Sequence, residues 1–404
     1  MDFGIISAIS TVVNFLNNIF WSYLLIILLI GAGVYFTLKN KFVQFRMMKE
    51  MVVLLKEGTG EAKHGISSFQ AFCISTASRV GTGNLAGVAL AVAAGGPGAV
   101  FWMWLIALLG SASAFVESTI AQVYKEKNGT TFKGGPAYYI EKALHCKWLG
   151  LVFAVLISIT YGLVFNSVQA NTISFAFENA FGIGRTSVAI ALFVLTGLVI
   201  FGGIHRIASI SEKIVPFMAV IYVLIVLGVL AININKLPGI IVLIVKSAFG
   251  PEQFMGGALG AAVMQGIKRG LFSNEAGMGS APNAAATAHV THPVKQGLVQ
   301  TLAVFTDTLI VCSATAFLIL VSGTYQTSSA DGIALTQEAL TSQIGSFGGP
   351  FVAICIFLFA FSSLVGNYYY GEANIQFMCP ENKFFLNIYR FACLFMISFG
   401  SIAE

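Results

Sequence analysis

Thirty-six consecutive residues between Asp2 and Lys39 carry no charge, as do 37 between Arg79 and Glu117 and 33 between Glu338 and Glu372. A bilayer-spanning helix needs about 20 predominantly apolar residues, so each of these stretches is long enough to cross a membrane. Across the 404 residues 57% are hydrophobic and 10% charged, against about 25% charged in an average soluble domain. The chain therefore reads as an all-α polytopic membrane protein. Apolar blocks near 19–38, 66–94, 98–124, 148–176, 186–204, 213–234, 253–290, 297–323, 347–370 and 384–402 predict ten helices. Leu, Ile, Ala, Phe and Gly dominate them without period-2 alternation, which excludes a membrane β-barrel.

Several function classes drop out. The net charge of +5 is dispersed between apolar blocks instead of lying in one stripe, so no nucleic-acid partner is expected. There is no GKS/T phosphate loop for ATP-driven transport, and no block arranges a nucleophile, a base and a metal as an enzyme would. The six cysteines lack CxxC or metal spacing and read as reduced packing residues. His289 and His292 form an HxxH without a visible third ligand, which favours a solvated pair. The run Ile19 to Leu38 meets Lys39 with no basic leader and no small-residue cleavage site, as an uncleaved span would.

Orientation follows from Lys and Arg, which collect in cytoplasmic loops. With the 39–65 loop inside, inside segments hold fifteen of the 22 basic residues, which places the N-terminus outside. Asn128-Gly129-Thr130 then lies inside, where a glycosylation sequon is inert. Residues 40–57 mix basic residues with an apolar face, and suit either a helix on the inner membrane surface or a solvated connector.

Two blocks are interrupted. Gly81-Thr82-Gly83-Asn84 splits the second, and a polar, Gly-rich run from Lys268 to Gly279 splits the seventh. Glycine weakens a helix interior, so each cluster is a place for a helix to stop and restart at membrane depth. The two blocks lie five helices apart with opposite directions, the pattern of an inverted-repeat secondary transporter with its site at the breaks. The chain then divides into residues 1–65, an N-terminal helix and surface helix; 66–234, a first five-helix repeat; and 235–404, a second repeat. That second repeat holds four spans, so the chain is expected to stop one helix short.

Broken helices point free N–H groups and free carbonyls into a cavity, which suits an amino-acid zwitterion or an anion plus a small cation. Gly81, Thr82, Gly83 and Asn84 are the candidates for one wall, and Ser273, Asn274, Gly277 and Gly279 for the opposite wall. Close helix packing is the alternative use of such small residues. Ser362 and Ser363 lie mid-helix in an apolar block, and either help to coordinate a sodium ion or bond back to their own helix. Glu117, Glu275, Asp307, Arg79, Lys268 and Arg269 fall in or beside spans and need partners there, as charge pairs gating the inner mouth or as structural ion pairs.

The run Pro97-Gly98-Ala99-Val100-Phe101-Trp102-Met103-Trp104, with Arg79-Val80-Gly81-Thr82-Gly83-Asn84 before it and Gly134-Gly135-Pro136, Gln169-Ala170-Asn171 and Ser273-Asn274-Glu275-Ala276-Gly277 after it, resembles the alanine or glycine:cation symporter family. The resemblance extends to about Gln376. It implies the leucine-transporter fold of the amino-acid, polyamine and organocation superfamily, with five-plus-five inverted repeats and one extra N-terminal helix. It also implies uptake of alanine or glycine driven by Na+, less often H+, across a prokaryotic inner membrane, without any other cofactor. Gly81 to Asn84 and Gln169 would then serve substrate and ion, while Phe272 and Met278 crowd the pocket. By analogy of fold, the carbonyls of Ala77 and Val80 and the hydroxyls of Ser362 and Ser363 would hold the sodium. Where the family often has Thr-Thr and then an aromatic before Asn-Tyr-Tyr-Gly-Glu, this chain has Ser362-Ser363 and Asn367, which alters one pocket wall. The competing expectations are an uncoupled amino-acid channel and an inactive, truncated copy.

Overall fold

The computed structural model describes residues 2–60, 65–249 and 258–403. Apolar sequence without water must satisfy its backbone within each segment, and helices follow. In chain order they are α1 (Ser10–Lys39), α2 (Met48–Glu57), α3 (Ser68–Arg79), α4 (Gly83–Gly95) and α5 (Gly98–Val123); then a hairpin of β1 (Glu126–Asn128) and β2 (Thr131–Lys133); then α6 (Pro136–Leu144), α7 (Lys147–Phe181), α8 (Arg185–Ile200), α9 (Gly203–Ile232) and α10 (Leu237–Phe249). The remainder are α11 (Ala258–Asn274), α12 (Ala281–Ala285), α13 (Pro293–Ser322), α14 (Gly332–Ile344), α15 (Gly348–Met378) and α16 (Lys383–Ile402). Among the described residues seven helices are long and apolar enough to cross a membrane: α1, α5, α7, α9, α13, α14 with α15, and α16.

All ten predicted blocks coincide with helices. α3 with α4, and α11 with α12, are the two interrupted ones; residues 253–257 at the start of the seventh block lie outside the described residues. Three boundaries differ. α9 is helical from Gly203, where a loop to 213 was expected, and Arg206 Nη1 bonds the Leu198 carbonyl at the end of α8. α15 runs on to Met378 because its late polar residues have partners: Asn374 donates to Asn283 Oδ1 at 3.0 Å and Glu372 lies 3.7 Å from Arg390. α10 and α14, with 13 described residues each, lie outside the ten apolar blocks. Residues 48–57 form a helix whose buried Met51 and Leu54 pack in a cluster with Phe72, Phe115 and Leu298.

α5 packs along α11 and α13, whereas α7 packs along α15 and α16, and α3 lies against α9 and α15. Small residues permit these approaches; a Cβ on Gly33 of α1 would lie 3.0 Å from the Leu109 carbonyl of α5. All six cysteines are free, and Cys73, Cys312, Cys355 and Cys393 are buried.

Candidate functional site

α3 starts on a capping box, in which Ser67 Oγ accepts from Gln70 N and Gln70 Oε1 accepts from Ser67 N. It stops at Arg79, and Val80 at φ −80°, ψ 85° turns the chain out of the helix. The freed backbone is satisfied by side chains, as burial requires. Gly81 N donates to Asn84 Oδ1 at 2.9 Å and Thr82 N to Gln169 Oε1 at 3.0 Å. Gly81 has to be glycine here, because a Cβ would collide with Ser363 Oγ. Helix resumes at Gly83 through a π-helical turn, Gly83–Gly87, a distortion common at functional sites.

The second break is shorter than the polar run suggested. Lys268 to Asn274 stay helical in α11, and the chain unwinds at 275–280, with positive φ at Glu275 (53°), Gly277 (81°) and Gly279 (75°). Gly270 serves close packing instead of unwinding, since a Cβ there would lie 2.7 Å from Ile106 Cγ2. The helix ends that flank the two breaks touch: a Cβ on Gly83 at the start of α4 would sit 3.0 Å from Ser273 Cα near the end of α11. Phe272 packs edge-on to Phe165 with centroids 5.2 Å apart, Phe165 continues to Tyr161, and Tyr161 Oη lies 3.9 Å from Met278 Sδ. Gly277 and Gly279 face away from the first break, donating their N–H groups to Glu117 of α5 at 3.2 and 3.1 Å.

Side chains stitch the breaks together. Ser78 Oγ lies 2.9 Å from Glu275 Oε1 and 2.6 Å from Asn367 Oδ1, while Ser280 Oγ donates to Glu275 Oε2 at 2.7 Å. Asn367 Nδ2 is buried without a hydrogen-bond partner. Asp307, fully buried in a π-helical turn of α13 (Thr306–Cys312), collects donors from both broken helices. Asn84 Nδ2 reaches its Oδ1 at 2.7 Å, Ser273 Oγ its Oδ2 at 3.0 Å, and Thr308 Oγ1 its Oδ2 at 2.8 Å. Asn274 Nδ2 in turn donates to Thr308 Oγ1 at 3.3 Å.

The charge pairs expected of these groups are not what forms. Among the described residues, Glu117, Glu275, Asp307 and Arg79 make no ion pair within 4.0 Å. The carboxylates are met by backbone N–H, hydroxyl and amide donors, and Arg79 Nη1 donates to Gln300 Oε1 at 3.2 Å. The direct partners of these carboxylates are therefore neutral donors, while Arg79 is buried at 1% exposure without touching any of them within 4.0 Å.

On the opposite flank of the first break, α15 presents its hydroxyl pair. Ser363 Oγ lies 2.8 Å from the Ala77 carbonyl, 3.4 Å from the Val80 carbonyl and 3.1 Å from the Phe359 carbonyl. Ser362 Oγ lies 2.8 Å from Phe359 O and 3.4 Å from Ala77 O. Two hydroxyls and three carbonyls thus lie together between the helices, each carbonyl within 3.4 Å of at least one hydroxyl. The two expected uses of these serines coincide: each hydroxyl bonds its own helix and also reaches the broken one. His292 caps α13 through Nδ1, which accepts from Val294 N, and His289 N donates to the Ile66 carbonyl, so the HxxH serves local structure.

Sequence reasoning missed Ser78, Ser280, Thr308 and the Phe359 carbonyl. Ser78 sits three residues before Gly81 and carried no motif of its own; a backbone carbonyl leaves no signal in a sequence at all.

Residues 6–404 match the sodium:alanine symporter family. A probable sodium/glutamine symporter of Bacillus subtilis (strain 168) is 57% identical over 394 residues, 97% of this chain and 82% of that protein. An amino-acid carrier protein of the same organism is 55% identical, covering 98% of this chain and 84% of its own length. A sodium/proton-dependent alanine carrier of Bacillus sp. (strain PS3) is 41% identical over 79% of this chain and 75% of the carrier. In structure the chain is similar to MhsT in complex with L-phenylalanine, with TM-score 0.62 at 16% identity over 84% of this chain and 80% of that one. That likeness is one of fold, the leucine-transporter type.

Proposed function

The chain belongs to the sodium:alanine symporter family and is a multi-pass membrane transporter, not an enzyme; from that premise we propose that it takes up a small neutral amino acid, alanine or glycine, with Na+ by alternating access. One arrangement carries the reading: two helix breaks whose flanking ends are in contact, with five oxygens of α3 and α15 lying together beside the first. A sodium ion wants about five or six hard oxygens, and carbonyls with hydroxyls supply them without a formal charge. Ala77, Val80 and Phe359 offer carbonyls and Ser362 and Ser363 lone pairs, once each hydroxyl turns its proton away.

The amino acid fits between the breaks. Its carboxylate goes to the restarting end of α4 at Gly81, Thr82, Gly83 and Asn84, where it would take over the Gly81 and Thr82 N–H groups that Asn84 Oδ1 and Gln169 Oε1 hold in this structure. Its ammonium goes to the carbonyl end of α11 at Phe272, Ser273 and Asn274. Gln169 and Asn367 close the sides; Phe272 and Met278, backed by Phe165 and Tyr161, limit the side chain to a small one. Gly277 and Gly279 supply the bend. In this reading residues 66–234 and 235–404 are the two inverted repeats and 1–65 an added N-terminal unit, with the N-terminus outside and the chain in the cell's inner membrane.

The test is uptake of radiolabelled alanine into proteoliposomes under an inward Na+ gradient, with an equal K+ gradient as control. Transient accumulation with Na+ alone, blocked by unlabelled glycine, supports the symporter. Equilibration without accumulation means an uncoupled channel, and inhibition by glutamine but not by glycine reassigns the substrate.

A further inference from the structure

The unwound segment 275–280 is held in an uncommon shape. Three of its six residues have positive φ, and one of them, Glu275, is not glycine; left-handed backbone at a non-glycine residue costs roughly 1–3 kcal/mol and persists only where the surroundings over-determine it. Two carboxylates provide the restraint, from opposite sides. Glu275 ties the segment to Ser78 of the first broken helix at 2.9 Å. On the other side Glu117, half-buried on the 26-residue helix α5, places Oε1 on Gly277 N at 3.2 Å and Oε2 on Gly279 N at 3.1 Å. N–H groups turned to one side by left-handed residues form a concave anion seat, and here the anion belongs to the protein.

We propose that Glu117 is a positioning residue for transport: it clamps the second break to α5, so that Ser273 and Asn274 keep their register against the first break. The proposal rests on the symporter reading above. The flanks of the clamp fit this role. Leu29 of α1 packs against Gly277, where a Cβ would lie 2.8 Å from Leu29 Cδ2, and Leu29, Phe36, Ser113, Tyr139 and Glu117 line a cavity of about 230 Å³ beside it. Among the described residues no basic side chain pairs with Glu117 within 4.0 Å, so its partners there are the two backbone N–H groups. Because α5 is packed along α11 and α13, the clamp makes break, α11 and α13 move as one body. It also occupies the N–H groups of Gly277 and Gly279 in the second break.

Two variants and two readouts test it. Glu117→Gln keeps the shape but faces one N–H with an amide donor; Glu117→Ala removes both acceptors. Hydrogen–deuterium exchange of the purified full chain should show residues 275–280 exchanging about tenfold faster in Glu117→Gln, with α7 and α15 unchanged, as expected for losing a charge-assisted bond. Alanine binding at saturating Na+ should weaken by about the same factor, while Na+ binding without alanine is unchanged. Unaltered exchange over 275–280 in Glu117→Gln overturns the proposal, as does equal weakening of alanine and Na+ binding, the mark of a merely structural role. Wild type that binds no alanine refutes the symporter reading alone, since exchange reports on the clamp without ligand.

Discussion

Asn84 donates from Nδ2 to Asp307 Oδ1 across 2.7 Å, and so joins the first helix break to the turn of α13 that also holds Ser273 of the second broken helix. Its other amide atom, Oδ1, accepts from Gly81 N at 2.9 Å. One side chain therefore sets both the shape of the first break and its distance from the second. Asn84→Ala leaves a buried N–H and a buried carboxylate each short of a partner, at about 1–3 kcal/mol apiece. Alanine uptake efficiency should fall roughly 10- to 100-fold while the protein stays monodisperse. Initial-rate uptake measured beside size-exclusion chromatography checks this, and wild-type uptake would remove Asn84 from the site.

Gly81 faces Ser363 Oγ and the Gln169 amide with no room for a methyl group. Gly81→Ala forces Ser363 Oγ and the Gln169 amide to turn aside, which takes the Ser363 hydroxyl from the Ala77 and Val80 carbonyls and the Gln169 amide from Thr82 N. Uptake should be lost in that variant. Gly228→Ala on α9, where nothing lies within 4 Å of the new Cβ, should be neutral or slightly stabilising, by up to about 1 kcal/mol from helix propensity. The comparison of the two in one uptake assay separates crowding from glycine loss in general.

The helices and the existence of two breaks were legible because both rest on local composition: charge-free runs on one side, clustered Gly, Ser and Asn on the other. The extent of the second break was not, because Gly270 looks like Gly277 in sequence and differs in what it packs against, Ile106 for one and Leu29 for the other. The site's stitching was equally hidden. Ser78 and Glu275 are 197 residues apart, and Asn84 and Asp307 223; no periodicity links them. Glu117, Glu275 and Asp307 stood out as ionisable residues in apolar surroundings, and the natural guess of Arg and Lys partners failed because hydroxyls and backbone N–H groups satisfy them instead.

Lys125 lies just beyond the end of α5, outside the spanning segments. Its Nζ donates to Gln122 Oε1 and the Ala288 carbonyl, each at 2.7 Å, and sits 4.1 Å over the Phe132 ring. Burial pushes its ammonium down to about 8, from 10.5. Below about 8 folded and unfolded chains are both protonated here, and the burial penalty is constant. Between about 8 and 10.5 the unfolded state binds more protons, so stability rises with pH in that window. Melting temperatures of wild type and Lys125→Met should therefore differ in slope: wild type gains stability relative to the variant from pH 8 to 10, and parallel curves would refute the assignment.

Ser363 Oγ is within 3.4 Å of three carbonyls, those of Ala77, Val80 and Phe359, and Ser362 Oγ is within that distance of two of them. A hydroxyl has one proton to donate, so each serine can bond only one of these carbonyls at a time. A cation at their centre would satisfy all five oxygens together. Replacing both serines with Ala removes two ligands and leaves three carbonyls, too few for a hard cation. The Na+ concentration for half-maximal alanine uptake should then rise on the order of tenfold or more, about 1.4 kcal/mol per factor of ten. Since the two ligands bind at neighbouring sites, the apparent alanine affinity at fixed, subsaturating Na+ should fall with it and recover when Na+ is raised. An alanine defect that no Na+ concentration rescues would place the serines in the packing of α15 against α3, and an unchanged Na+ dependence would move the ion elsewhere.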